Sequence, residues 1–276
     1  MRKPVAAFIM SKRGFRLIYA DPVYRRLREM IDLAFPPCEP EQFKKYRKEC
    51  REVEVLFTGW GPPLLDADFL DSFPNLKVVV HGAAAIREMV SPAFWERDIL
   101  ISSCHHINAQ FVSDYCLGSI LLGLKGVFYY QRKLKEEKEF LHGDQHSFPG
   151  MHYTMIGLCS YGSTARLLRQ KIRTWGFKVY VYDPYLDAEE AENEDVQLIG
   201  LEDLFKRCHL VSVHTPLLED TCGMIGEDLI CSMPPNAMFI NTARGKLINM
   251  GEFYRAVERR RDIQFILDVT DPEYPR

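Results

Sequence analysis

TMIGLCSYGSTARLLRQKIRTWGFKVYVYDP, residues 154–184, decides how the chain reads. An apolar run, Met155, Ile156 and Leu158, meets a turn of small residues, Ser160, Gly162, Ser163 and Ala165. The spacing then becomes helical, with Leu167, Leu168, Ile172 and Trp175, and closes at Gly176. A second run, Val179 to Tyr182, ends in Asp183. Strand, tight turn, helix, strand and acid is the plan of a dinucleotide-binding βαβ unit.

Each part of that plan has a physical reason. Gly162 has no Cβ, so the backbone there can approach a pyrophosphate, and the amides that open the following helix favour negative charge. Ser160, Tyr161, Gly162, Ser163 and Thr164 make up the candidate phosphate turn, and Ala165 is small enough for close helix packing. Asp183 stands 21 positions after Gly162, placed to accept from both ribose hydroxyls. Its charge would repel a 2′-phosphate, which favours NAD over NADP. The glycine pattern fits in two registers: G-x-C-x-x-G from Gly157, or S-x-G-x-x-A from Ser160. The second puts strand end, helix start and Asp183 at better distances, and it requires the tight turn to tolerate a side chain at Ser160. Taken by itself the fingerprint reads equally as a nucleotide site or as an α/β core crossover.

The whole chain sets the bounds. Its 276 residues and 32.0 kDa suffice for two domains of ordinary size. With 47% hydrophobic and 26% charged residues and a formal net charge of -3, it reads as a soluble globular protein with no polyanion-binding surface, so no nucleic-acid partner is expected. The mixed-sign run KLKEEKE at 133–139 reads as a solvated helix face. Its 8 cysteines include no C-x-x-C pair, which argues against a disulfide framework or a metal site and for a reducing compartment. Cys159 has two readings: a thiol activated by the helix N-terminus, or a small buried hydrophobe at a strand end. No segment reaches the roughly 20 apolar residues of a membrane span. The opening run to Met10 is too short for a signal peptide, and reads as the first buried strand of a cytoplasmic protein.

Along the chain, strands are expected at 4–10, 53–57, 76–80 and 99–102, with helices at 22–34 and 92–96. Residues 108–130 read as one long helix, apolar over most of its surface, to be buried between layers or against a second subunit. Residues 131–153 read as a charged arm or linker. After Asp183, helices are expected at 201–208, 227–232 and 252–260, and strands at 210–213, 237–241 and 264–268. This alternation implies a doubly wound parallel sheet with its ligand loops at the carboxyl edge.

Several blocks then fall into one order: GLCSYGSTAR (157–166), VYDP (181–184), LEDLFKRCHLVSVHTPL (201–217), T-x-x-M-I (221–225), AMFINTARGKLIN (237–249) and LDVTDPE (267–273). With looser matches at PNLKVV (74–79), AFWERDI (93–99) and Asn108-Ala109-x-x-Val112, the chain resembles the D-isomer-specific 2-hydroxyacid dehydrogenases. The resemblance implies hydride transfer between NAD(H) and C2 of a small 2-keto or 2-hydroxy acid. It implies that Arg244 binds the substrate carboxylate and carbonyl, for which a guanidinium fork is suited; outside the motif an arginine there would be a surface ion pair. It implies that Glu273 pairs with the catalytic histidine and raises its pKa. It assigns Asp268, with Thr242 and Ala243, to the nicotinamide side, and His214, Thr215 and Pro216 to the loop over the cofactor. The amides of Gly82, Ala83 and Ala84 would hold the substrate carboxylate, with Asn108 nearby at the domain junction.

The chain departs from the family pattern in places. The family's Pro-His motif lies beyond the glutamate, whereas this sequence ends at Arg276, so either the acid catalyst and the returning C-terminal helix lie outside the sequence given or the protein lacks the usual proton donor. His81 and His214 fall in candidate site loops and read as structural or merely solvated. Arg87 reads a second anionic group or is simply exposed, and Asp114 replaces a glutamate. The expected architecture is α/β in two domains: residues 1–107 a flavodoxin-like substrate domain, incomplete, and residues 108–276 a Rossmann NAD-binding domain, with the site in the cleft between them and a homodimer through the NAD domain. An NAD-sensing adaptor without turnover, resembling the corepressors on this fold, is the alternative.

Overall fold

A computed structural model describes residues 2–138, 148–150 and 154–272. The chain divides into two compact units, residues 1–108 and 109–276.

The first unit holds β1 (Val5–Phe8), α1 (Lys12–Ile18), α2 (Asp21–Met30), β2 (Asp32–Leu33), α3 (Arg47–Cys50), β3 (Val55–Thr58), α4 (Ala67–Asp71), β4 (Val78–His81), α5 (Pro92–Trp95) and β5 (Leu100–Ser103). Its five strands run parallel in the order β2-β1-β3-β4-β5, which is the flavodoxin-like arrangement. One face is covered by Phe35, Phe43, Phe69, Phe73 and Phe94, the other by Phe8, Tyr19 and Phe57, so β1 and β3 are buried on both sides as parallel strands must be. One expectation fails here, and one helix was not expected at all. The helix expected over 22–34 stops at Met30, because Ile31 turns extended to feed β2, and Val23 and Met30 are exposed. Helix α1 has no apolar period to announce it; Ser11 starts it by accepting from the Gly14 amide at 3.0 Å.

The second unit contains most of α6 (His105–Leu124), then α7 (Val127–Glu137), β6 (Met155–Cys159), α8 (Ser163–Ile172), β7 (Lys178–Tyr182), α9 (Ala188–Asn193), β8 (Gln197–Leu198), α10 (Leu201–Arg207), β9 (Leu210–Val213), α11 (Glu227–Ser232), β10 (Met238–Asn241), α12 (Met250–Arg259) and β11 (Gln264–Leu267). All pairs are parallel, in the order β11-β10-β9-β6-β7-β8. Counted from β6 as the first strand, this is the doubly wound Rossmann order, with its switch point between β6 and β9.

The long helix expected over 108–130 is two helices, meeting at 60°. Gly126, at φ +69, supplies the left-handed residue that ends α6 and starts α7. Cys116, Ile120 and Leu124 turn one face of α6 into the core, while Phe111, Tyr115 and Leu122 stay exposed on the other. Among the described residues no single helix is long and apolar enough to cross a membrane; the bent pair α6 and α7 passes together on length and composition alone.

Candidate functional site

The register of the second sheet lines up the loops the sequence singled out. Cys159 pairs with Tyr182 on one side and with Val213 on the other, and Val213 pairs with Asn241, which pairs with Leu267. The residues that follow these strand ends therefore form one row along the carboxyl edge: Asp183, Ser160, His214, Thr242, Asp268. Ligands of open α/β sheets bind at this edge, at the switch point.

At the first strand end Ser160 carries φ +69, a left-handed backbone that glycine adopts readily and serine seldom does. The side chain the turn had to tolerate is thus accommodated. Ser160 donates its amide to Tyr182 O at 2.7 Å, and Tyr161 donates its amide to Asp183 Oδ2 at 2.7 Å. The Tyr185 amide donates to Asp183 Oδ1 at 2.8 Å. Tyr161 is buried, its ring under the Arg166 guanidinium at 4.7 Å, and burial raises its phenol pKa. Gly162 opens α8 in extended backbone with no side-chain cap, so the first-turn amides keep their donors. A Cβ built on Gly162 meets nothing within 4 Å. Cys159 is fully buried and burial raises its thiol pKa, which removes the activated-thiol reading.

Across the switch point Thr215 donates its hydroxyl to Cys159 O at 3.2 Å and accepts from Ser160 Oγ at 3.1 Å. His214 donates its amide to the same Cys159 carbonyl at 2.8 Å. Burial lowers its imidazole pKa to about 4, so the ring is neutral at physiological pH, and its Nε2 is buried with no partner among the described residues.

The NTARG loop is shaped by Asn241, which the sequence reading did not single out. Asn241 is fully buried; its Oδ1 accepts from the Ala243 amide at 3.0 Å and its Nδ2 donates to Arg244 O at 2.9 Å. An asparagine at a strand end bonding its own backbone two and three residues on is the signal that could have found it. Arg244 is exposed, with Nη1 donating to Ala243 O at 2.6 Å. Thr242 is buried, with Oγ1 3.5 Å from Cys116 Sγ. The Asp268 amide donates to Asn241 O at 3.0 Å. A Cβ on Gly245 would stand 2.2 Å from the Thr270 backbone, so glycine is what lets the two segments close up. Glu273 lies outside the described residues.

In the first unit, the loop after β4 begins at Gly82. Its amide already donates to Thr58 O at 2.9 Å, so it is not free for a carboxylate, whereas the Ala83 and Ala84 amides have no acceptor among the described residues. His81 is buried with Nδ1 2.8 Å from Thr58 Oγ1, and burial lowers its pKa, as a structural histidine requires. Arg87 is exposed. Asn108 donates its amide to Cys104 O at 2.9 Å in the first turn of α6. Among the described residues no cluster of histidine, cysteine or carboxylate could hold a metal ion.

The second unit fits a dinucleotide on its own chemistry. It offers uncapped helix amides beside open space at Gly162, and a carboxylate whose two oxygens each accept one amide and keep lone pairs for ribose hydroxyls. On the loop after the neighbouring strand stands a buried imidazole nitrogen of His214 with no partner among the described residues.

The fold and this strand-end row define a protein with a Rossmann nucleotide-binding domain and a flavodoxin-like one. The family model described as "D-isomer specific 2-hydroxyacid dehydrogenase, NAD binding domain" matches residues 117–276, more than half of the chain. The chain belongs to that family. It is 26% identical over 187 residues to the D-3-phosphoglycerate dehydrogenase of Mycobacterium tuberculosis, a match that covers 67% of this chain and 35% of that protein. The chain thus spans about a third of the length of that curated relative. Among solved structures it is similar to a phosphoglycerate oxidoreductase from Rhizobium etli, with a TM-score of 0.78 and 20% identity, covering 99% of this chain and 81% of that one. It is also similar to the NAD-complexed D-isomer specific 2-hydroxyacid dehydrogenase of Lactobacillus delbrueckii ssp. bulgaricus, with a TM-score of 0.77 and 16% identity, covering 99% and 85%.

Proposed function

We propose that the protein is an oxidoreductase that transfers a hydride between NAD(H) and C2 of a small D-2-hydroxy or 2-keto acid. The observation that carries this reading is the unbroken row of strand ends, from Asp183 through Ser160 and His214 to Thr242 and Asp268, inside a domain of the NAD-binding family.

The nicotinamide cofactor, when bound, supplies or accepts the hydride. The chain's own residues do the rest. Asp183 takes the adenosine ribose, and the Gly162, Ser163 and Thr164 amides the pyrophosphate, with Ser160 and Tyr161 completing the turn. Thr215 and Pro216 close over the cofactor with His214, while Thr242, Ala243 and Asp268 hold the nicotinamide side. Arg244 binds the substrate carboxylate and polarises the carbonyl as negative charge grows on its oxygen. In the first unit the Ala83 and Ala84 amides take the carboxylate, with Asn108 and Arg87 as further candidates for substrate contact. Glu273 keeps the role the family resemblance gives it, tuning a histidine acid.

The exposed apolar face of α6 and α7, with Tyr115, Leu122 and Phe128, borders a groove of about 1040 Å³ that reaches β11. This supports a homodimer through the second unit; the groove shares no residue with the strand-end row. The free cysteines among the described residues support a reducing, cytoplasmic setting.

The test is NADH oxidation by the full-length protein with a panel of 2-keto acids, beside NADH binding. Turnover that Arg244→Ala abolishes supports the reading. Tight NADH binding with no turnover of any 2-keto acid would sink it and leave the adaptor.

A further inference from the structure

We infer that Ser160 is a positioning residue for the dinucleotide, acting through Thr215. The inference rests on the proposed NAD site and goes beyond it, because it gives the serine that stands in a glycine position a task of its own.

The proton count leaves one arrangement. Cys159 O is a carbonyl and can only accept, so Thr215 must donate to it; Thr215 Oγ1 is then the acceptor for Ser160 Oγ. The chain runs Ser160 Oγ–H to Thr215 Oγ1–H to Cys159 O. The single proton of Ser160 is committed, so it has none to donate to a phosphate oxygen. Its contribution is made through geometry instead. Both residues are buried, at 8% and 4% exposure, which limits competition by water for the bond.

The bond also spans the switch point. Ser160 follows β6 and Thr215 follows β9, the two strands between which the sheet order reverses. It therefore ties one lip of the ligand crevice to the other, 55 positions apart in sequence. A left-handed serine persists only where its surroundings over-determine it. Here the amide bond to Tyr182 O and the hydroxyl bond to Thr215 fix it from two sides, with Tyr161 held next to it by Asp183. Glycine would adopt the same backbone without strain, but it would leave the two lips unlinked.

The experiment is NADH titration of the full-length protein by fluorescence, with a thermal melt of each variant. Ser160→Ala and Thr215→Val should each raise the Kd about three- to tenfold, the worth of one buried hydrogen bond. The double variant should be no weaker than the weaker single one, because both remove the same link. Thr215→Ser should restore affinity. Ser160→Gly separates positioning from stability: it relieves the strained backbone, so its melting temperature should match or exceed the wild type while its Kd stays raised. Wild-type affinity in Ser160→Gly, or additive losses in the double variant, overturns the inference and leaves the NAD site standing. A wild-type protein that binds no NADH overturns both.

Discussion

The Tyr161 amide donates to Asp183 Oδ2 at 2.7 Å, joining the phosphate turn to the end of the next strand. In the proposed NAD site one carboxylate has two tasks. It holds the turn after β6 in place, and it presents its remaining lone pairs where the adenosine ribose is expected.

Asp183→Asn is the corresponding test. The amide side chain accepts more weakly and no longer repels a 2′-phosphate, so NADH affinity should fall about tenfold or more. The preference for NADH over NADPH should narrow with it. Parallel fluorescence titrations with the two cofactors read both effects, and an unchanged ratio would remove Asp183 from cofactor selection.

Gly245→Ala tests the closure of the NTARG loop on the segment after β11. The new Cβ would meet backbone at Thr270 and Asp271, which cannot swing aside like a side chain. A loss of about 1–3 kcal/mol is expected, read as a melting temperature lower by about 2–4 °C per kcal/mol. Arg244 is the adjacent residue, so activity should fall further than stability alone explains.

How far the sequence reached is clear from these residues. The β6–α8–β7 unit is legible because apolar spacing changes period there and small residues mark the turn. The end of the long helix was missed because a single glycine, Gly126, breaks a run whose apolar spacing continues past it. Helix α1 was missed because KRGFRLI carries a glycine in mid-helix; Gly14 is there since a Cβ would stand 2.5 Å from Trp60 O. That is a tertiary constraint with no local trace. The strand-end row was legible residue by residue from the family motifs, but the hydroxyl link from Ser160 to Thr215 depends on which strands neighbour each other. Likewise, only the fold shows that the Gly82 amide is already taken by Thr58.

His214 gives a pH dependence of stability. Its folded pKa, about 4, lies below the usual 6.5, so the unfolded chain binds the extra proton first as pH falls. Its stabilising share is present above pH 6.5 and is lost as the pH falls towards 4, by at most about 3 kcal/mol. Urea melts across that range should show a shallower pH slope in His214→Gln than in the wild type; equal slopes would mean that other groups set it.

Thiol reactivity checks the reading of Cys159. Cys104 and Cys222 are exposed, whereas burial raises Cys159 and holds Cys50 and Cys208 at about 12. Alkylation of the folded protein, mapped by mass spectrometry, should modify Cys104 and Cys222 first. Equal labelling of Cys159 would mean that the strand end beneath the phosphate turn opens.

The central claim, hydride transfer at C2, is tested most directly by giving the full-length protein NADH deuterated at the transferring carbon together with 2-keto acids. The account predicts a D-2-hydroxy acid carrying deuterium at C2. Bound NADH with no deuterated product from any acid, or product of the opposite configuration, would contradict it.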